Sequence, residues 1–289
     1  MNLKILAASV LGVCVAIGLW LMATHGPDSG APKTAPLVAA PTAPPTTWPS
    51  YSVNGPGFVK PATADGVLVA EGYALVTRTY ALIGPEVSDA AKRYAGNNLA
   101  CRNCHLDAGT KQFAMPLVGV FRTYPKFSRR SDKTISLTER VNECMTRSMN
   151  GRDLPADSRE MAAFLAYLRF IGEPQAQTLA EPSKPGLPAD PVRGEVVYGQ
   201  ICAVCHQADG LGRRWGAAAD ARGYVFPPLW GSDSYNDGAG MDYPDRAVLF
   251  IQHNMPRGTA PDAPELNLQQ AWDIVALLKS KPRPHYQPR

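Results

Sequence analysis

Four of the six cysteines stand in two groups of one spacing, Cys101-Arg102-Asn103-Cys104-His105 and Cys202-Ala203-Val204-Cys205-His206. Thiols three residues apart sit on one helical turn, and the next residue places an imidazole beside them. That is the spacing of covalent haem attachment: the thiols reach two vinyl groups of a porphyrin and the histidine binds the iron from one side. A zinc or redox Cys-x-x-Cys with an incidental histidine is the plainer reading of one such motif. Two of them, each in a small helical context, favour haem. The expected cofactors are therefore two covalently bound c-type haems, held by Cys101 and Cys104 and by Cys202 and Cys205, with His105 and His206 as proximal ligands.

Each iron needs a sixth ligand. In the second half Met255 lies 49 residues after His206, just before a terminal helix, and its thioether suits an electron-relay haem. Met241 and His253 are the rivals. In the first half the corresponding place, 39 residues after His105, reads Glu143-Cys144-Met145. Cys144 has no evident disulfide partner among the exported cysteines. As a thiolate ligand it would give a low-potential iron beside a reactive sulfur, a combination suited to catalysis. The alternative is a buried structural thiol, with Met145 or Met149 on the iron. If the run is helical, Arg140 and Ser148 fall on the face of Cys144, and Arg130 can reach it from the preceding loop. Guanidinium groups and a hydroxyl beside such an iron describe a pocket for a small oxyanion. Solvated surface arginines are the competing explanation.

The elements that must hold these groups read as mainly α-helix, in two tandem cytochrome c-type haem domains. Each has a helix, the Cys-x-x-Cys-His motif, a loop-rich stretch and an amphipathic terminal helix. Helices are expected over Val87–Ala100 and Arg193–Val204, ahead of the motifs. Asp157 with Glu160 resembles a capping box that opens a helix running to about Ile171, with Met161, Phe164, Leu165, Leu168 and Ile171 inward. Asn267 with Gln270 opens its counterpart, with Ala271, Ile274, Val275 and Leu278 inward. Strand signals are weak.

Residues 1–26 read as a signal peptide or membrane anchor: Lys4 precedes an uncharged, mostly apolar run of 19 residues, Ile5 to Ala23, that contains Cys14. Charge placement puts everything downstream outside the cytoplasm, in the periplasm, where haem attachment of this type takes place. Residues 27–50, with seven prolines, form a tether unable to pack a core. The expected domains are 51–172 for haem 1 and 192–289 for haem 2, joined by a Pro-rich linker over 173–191. Residues 86–172 carry 14 Lys and Arg against 9 Asp and Glu, whereas residues 190–281 carry 8 against 11. The basic half is thus the one with Cys144. The whole chain, at +4, is too weakly charged to argue for nucleic acid.

The runs Tyr94-Ala95-Gly96-Asn97-Asn98-Leu99-Ala100-Cys101, Leu106-Asp107-Ala108-Gly109-Thr110-Lys111 and, above all, Cys144-Met145-Thr146-Arg147-Ser148-Met149-Asn150-Gly151 resemble the dihaem, tetrathionate-forming thiosulfate dehydrogenases, over about Gly72 to Leu278. The resemblance implies that haem 1 is ligated by His105 and Cys144 and is the active site. It implies too that Arg130, Arg140 and Ser148 bind substrate, and that haem 2 with Met255 exports electrons to an external acceptor such as another cytochrome. Some family members have lysine just before the distal methionine, able to exchange with it. Here Asn254 stands there and residues 207–278 contain no lysine, which speaks against such an exchange.

The expected reaction is oxidative coupling of two thiosulfate ions to tetrathionate, with the reverse direction left open. Two other readings survive: a dihaem electron carrier in which Cys144 is dispensable, and a haem-thiolate enzyme acting on a protein-bound sulfur carrier.

Overall fold

The computed structural model describes residues 61–172, 181–217 and 220–288, except positions 63 and 221. The expected signal or anchor, the tether and part of the linker lie outside the described residues. Within them no helix is long and apolar enough to cross a membrane.

The first half opens with helix α1 (Gly66–Thr77), follows with a short helical piece at Thr79–Ile83, and later has α2 (Leu137–Arg147) and α3 (Arg159–Phe170). Between the motif and α2 lies a small antiparallel hairpin, β1 (Lys126–Ser128) and β2 (Lys133–Ile135), with Phe127 opposite Thr134. The second half has α4 (Pro191–Val197), the pair β3 (Arg213–Arg214) and β4 (Tyr224–Phe226), α5 (Pro244–Asn254) and α6 (Leu268–Ser280).

In each half the first helix crosses the last through a glycine. A Cβ added to Gly72 on α1 would lie 2.1 Å from the Ala163 carbonyl oxygen on α3. One added to Gly194 on α4 would lie 2.2 Å from the Asp273 carbonyl oxygen on α6. Only hydrogen fits at such a crossing, so backbone meets backbone. Paired charges fasten both crossings. Arg159 grips Glu71 with two bonds of 2.9 and 2.7 Å, and Arg193 grips the buried Asp273 with two of 2.8 Å.

The terminal helices begin on hydroxyl or amide caps. Asn267 and Gln270 form the expected box, and Ala271, Ile274, Val275 and Leu278 are buried. On α3 the cap is Ser158, whose Oγ accepts from Met161 N at 3.2 Å, rather than Asp157. Met161, Phe164, Leu168 and Ile171 are buried and Leu165 partly so.

The expected helix over Val87–Ala100 does not form. A single 3-10 turn, Ala90–Lys92, occupies it, and the entering helix is α1, farther upstream. Tertiary acceptors take the backbone donors a helix would use: Tyr94 and Ala95 donate to the Ile83 carbonyl, Gly96 and Asn97 to that of Met149. The run Gly96-Asn97-Asn98 has low helix propensity with which to compete. In the second half the expectation holds, since α4 continues through a π turn at Tyr198–Cys202 into Ala203–His206.

The two cores are not closed off from one another. Tyr235 and Ala239 from the second half are buried in the first cluster, Ala114 from the first half is buried in the second, and Met241 borders both. Asn236 donates to the Thr146 carbonyl at 3.0 Å and Asn150 to that of Ser234 at 2.7 Å.

Candidate functional site

Both motif histidines are set as metal-binding imidazoles are. His105 Nδ1 bonds the Met115 carbonyl, and His206 Nδ1 bonds that of Pro227 at 2.8 Å, which leaves each Nε2 for iron. Burial pushes His105 down to about 4, so the ring is neutral, the form that ligates. Burial likewise lifts the thiols, Cys101 to about 11, Cys104 to about 12 and Cys202 to about 11. These are apolar cradles of the kind a porphyrin face fills. Among the described residues no three His, Cys, Asp or Glu side chains gather into a metal site. Arg147 Nε and Arg283 Nη1 are buried without a partner, and each guanidinium lies over an aromatic ring, Tyr286 and Tyr235 respectively. Such fixed orphan donors suit the carboxylates a haem carries. The residues fit the group.

The element that matters most is α2. Ser136 and Glu139 box its first turn, with Ser136 Oγ accepting from Glu139 N at 3.1 Å and Glu139 Oε2 from Ser136 N at 2.8 Å. Glu139 is held at about 2, chiefly by that backbone bond. The helix then presents Cys144 toward the first motif, close enough for its charge to act on both Cys101 and Cys104. Its neighbours Met145 and Met149 are instead buried in the first core cluster.

Arg140, one turn back, is raised above its ordinary value first by Cys144, and bonds Glu143 at 2.9 Å. Tyr124 faces the same spot: burial raises its hydroxyl most, with Arg140 and Cys144 acting next. Ser148 caps the helix end, its N–H donating to the Cys144 carbonyl at 2.8 Å. Arg130, in the hairpin loop, stacks on Tyr243 with its guanidinium carbon 4.8 Å from the ring centroid. Arg246 stacks on the same ring at 5.0 Å. Sequence spacing had grouped Arg130, Arg140, Cys144 and Ser148. Tyr124, Tyr243 and Arg246 had escaped it, the last two because they lie about a hundred residues away.

At the second motif Met255 ends α5 in extended backbone and packs, with Met241 and Cys202, against the second cluster. His253, the rival, also has its Nδ1 on a carbonyl, that of Pro261 at 2.7 Å, with its Nε2 buried and unpartnered, and its ring stacks on Phe113 at 4.1 Å. Asn254 Nδ2 donates to the Gln112 carbonyl at 3.1 Å. The stretch 112–115 therefore runs from the carbonyl that holds His105 to the helix end that carries Met255, with positive φ at Phe113 (59°) and Met115 (44°).

Comparison with known proteins agrees with two cytochrome c domains in tandem. A family model described as "SoxA/TsdA, cytochrome c domain" matches residues 91–173, and one described as "Cytochrome c" matches residues 191–281. The chain is 38% identical over 231 residues to a thiosulfate dehydrogenase of Stutzerimonas stutzeri, covering 78% of this chain and 70% of that one. It is 40% identical over 204 residues to that of Allochromatium vinosum, covering 67% and 73%. The chain belongs to the thiosulfate dehydrogenase family. A solved structure of thiosulfate dehydrogenase (TsdBA) from Marichromatium purpuratum, in its as-isolated form, superposes with a TM-score of 0.65 at 30% identity. It covers 76% of this chain, which spans about half the length of that longer protein (46%). As a thiosulfate dehydrogenase family member with two tandem cytochrome c domains, the protein carries two covalently bound c-type haems.

Proposed function

We propose that the protein couples two thiosulfate ions into tetrathionate at the first haem, with Cys144 as reactive sulfur and Arg130, Arg140 and Ser148 as the anion-binding groups. The observation that carries this is the placement of Cys144 on α2, facing the first motif with Arg140 beside it. In this reading His105 and Cys144 hold the first iron, and His206 and Met255 the second. Once bound, the haems would supply the redox capacity, able to accept one electron each for release to an external acceptor, another cytochrome.

The remaining chemistry belongs to side chains. Arg140 neutralises an incoming dianion where water is thinned by Tyr124 and the pocket wall. The Cys144 thiolate joins the outer sulfur of the first thiosulfate as two electrons leave, giving a Cys144–S–S–sulfonate with one negative charge. The outer sulfur of a second thiosulfate attacks the adjacent sulfur of that adduct. The bond between the thiosulfates forms, the bond to Cys144 breaks, and tetrathionate departs while the thiolate is regenerated. Arg140 keeps its partner Glu143 at rest and can turn part of its fork to the anion.

Residues 1–26 direct export to the periplasm, or anchor the chain there, and residues 27–50 tether domains 51–172 and 192–289, joined by residues 173–191.

The experiment is anaerobic addition of thiosulfate to the haem-loaded protein, followed by haem absorption. Both haems should be reduced, with tetrathionate formed. Cys144→Gly should keep two haems by mass yet lose more than 99% of turnover. Near-normal turnover in that variant would return the protein to the carrier reading.

A further inference from the structure

We propose that Arg246, supplied by the second domain, forms with Arg130 a second anion position at the mouth of the first haem's pocket, and that this position receives the second thiosulfate. The inference rests on the thiosulfate reading above and assigns a residue that reading does not use.

Arg246 stands in the first turn of α5 (Pro244–Asn254), where the helix end is electropositive and a cation is misplaced. It lies on Tyr243, the ring that also carries Arg130, at 5.0 and 4.8 Å. A Cβ added to Gly240 would come within 3.4 Å of Arg246 Nη1, so the 240–246 turn closes around it. Arg246 is exposed at the rim, whereas the Arg140 side chain, 27% exposed, lies deeper and is bonded to Glu143. Among the described residues, no carboxylate comes within salt-bridge distance of either Arg130 or Arg246. Other arginines that join elements do have such partners, as at Arg159–Glu71 and Arg193–Asp273. Arg246 is lowered by partial desolvation, then by Arg130 and Arg140, and is raised in turn by Tyr243 and Cys144. Cations brought together beside a sulfur, two of them without counter-charge, are balanced when an anion enters.

The reaction explains why one arginine would not suffice. The first thiosulfate becomes an adduct of Cys144 that still bears a sulfonate, and Arg140 is its neighbour. A second dianion must then approach that negative charge, and it has to be met by cations not already engaged. Arg130 and Arg246 are held together on one ring for that step. The step is a displacement, with one sulfur–sulfur bond made and one broken and no change in electron count.

The test uses the haem-loaded full chain and thiosulfate. Arg246→Gln should form the Cys144 adduct, read by mass, at the wild-type thiosulfate concentration, while its discharge by added thiosulfate slows about tenfold or more. KM should rise by a similar factor and lose part of its salt dependence. The first haem's spectrum and both potentials should stay in place, and Arg246→Lys should recover much of the loss. Unchanged discharge and KM would overturn the proposal. So would a variant in which adduct formation, spectrum and discharge all fall together, since that marks a structural role. If wild type forms no adduct, KM, salt dependence and the lysine rescue alone decide the matter. If wild-type haems are not reduced by thiosulfate, the parent reading fails first, and visibly so.

Discussion

The two domains share a frame and differ in what hangs from it. In both, an entering helix crosses the last one through a glycine, a bidentate Arg–carboxylate pair fastens the crossing, and a carbonyl holds the motif histidine by Nδ1. The difference lies at the proposed distal position. The first domain places there a capped helix bearing a thiol, an arginine and a hydroxyl in turn-by-turn register. The second places the end of a helix and a thioether packed among apolar side chains. On the proposed function one frame thus serves a reacting centre and a relay, and the change is confined to the element that would bring the distal group.

The most damaging way to test that contrast is to erase it. Cys144→Met gives the first domain the second domain's ligand chemistry. It should raise the first haem's potential and reduce thiosulfate turnover by more than a hundredfold while both haems stay attached, read by potentiometry and steady-state assay. The converse change, Met255→Gly, should remove the thioether signal and lower the second potential, since axial ligands set haem potentials over a range of about 0.8 V. The first haem's spectrum should be nearly unaltered. If the thioether signal survives, Met241 holds that position.

A smaller effect tests the shared frame. Gly72→Ala and Gly194→Ala each force a methyl against a carbonyl oxygen, and each should cost about 1–3 kcal/mol in denaturant unfolding. Equal losses would mark the crossings as equivalent.

The smallest concerns the cap of α2. Glu139 is depressed to about 2 from an ordinary 4.5, so its contribution is complete above pH 4.5 and fades as pH falls through 2. Glu139→Gln should therefore shrink the difference in melting temperature from wild type as pH is lowered across that window. A difference that stays constant with pH would show that the carboxylate's charge is not involved.

Much of this was legible from residue spacing. The attachment motifs, the box at Asn267 and Gln270, and the helical register of Arg140, Cys144 and Ser148 are local facts, and local periodicity states them. The first helix was not legible at its true place, because α1 is chosen by its fit against Ala163 and Tyr167, while Val87–Ala100 loses its donors to Ile83 and Met149. Nor were Tyr243 and Arg246, which reach the hairpin of the other domain through a packing that no short-range pattern encodes. Asp157 and Ser158 are adjacent cap-formers, and propensity alone does not choose between them.

The segment at 112–115 has a consequence for how the molecule comes apart. Its Met115 carbonyl steadies His105, its Phe113 ring lies on His253, and its Gln112 carbonyl takes the Asn254 amide. Opening either domain strips that segment of half its partners and exposes a wall of the other, as does withdrawing Tyr235 or Ala114 from the core each enters. The protein should thus melt as a single cooperative unit, although its chain is written as two. Amide protons along the seam should exchange only at the rate of global unfolding.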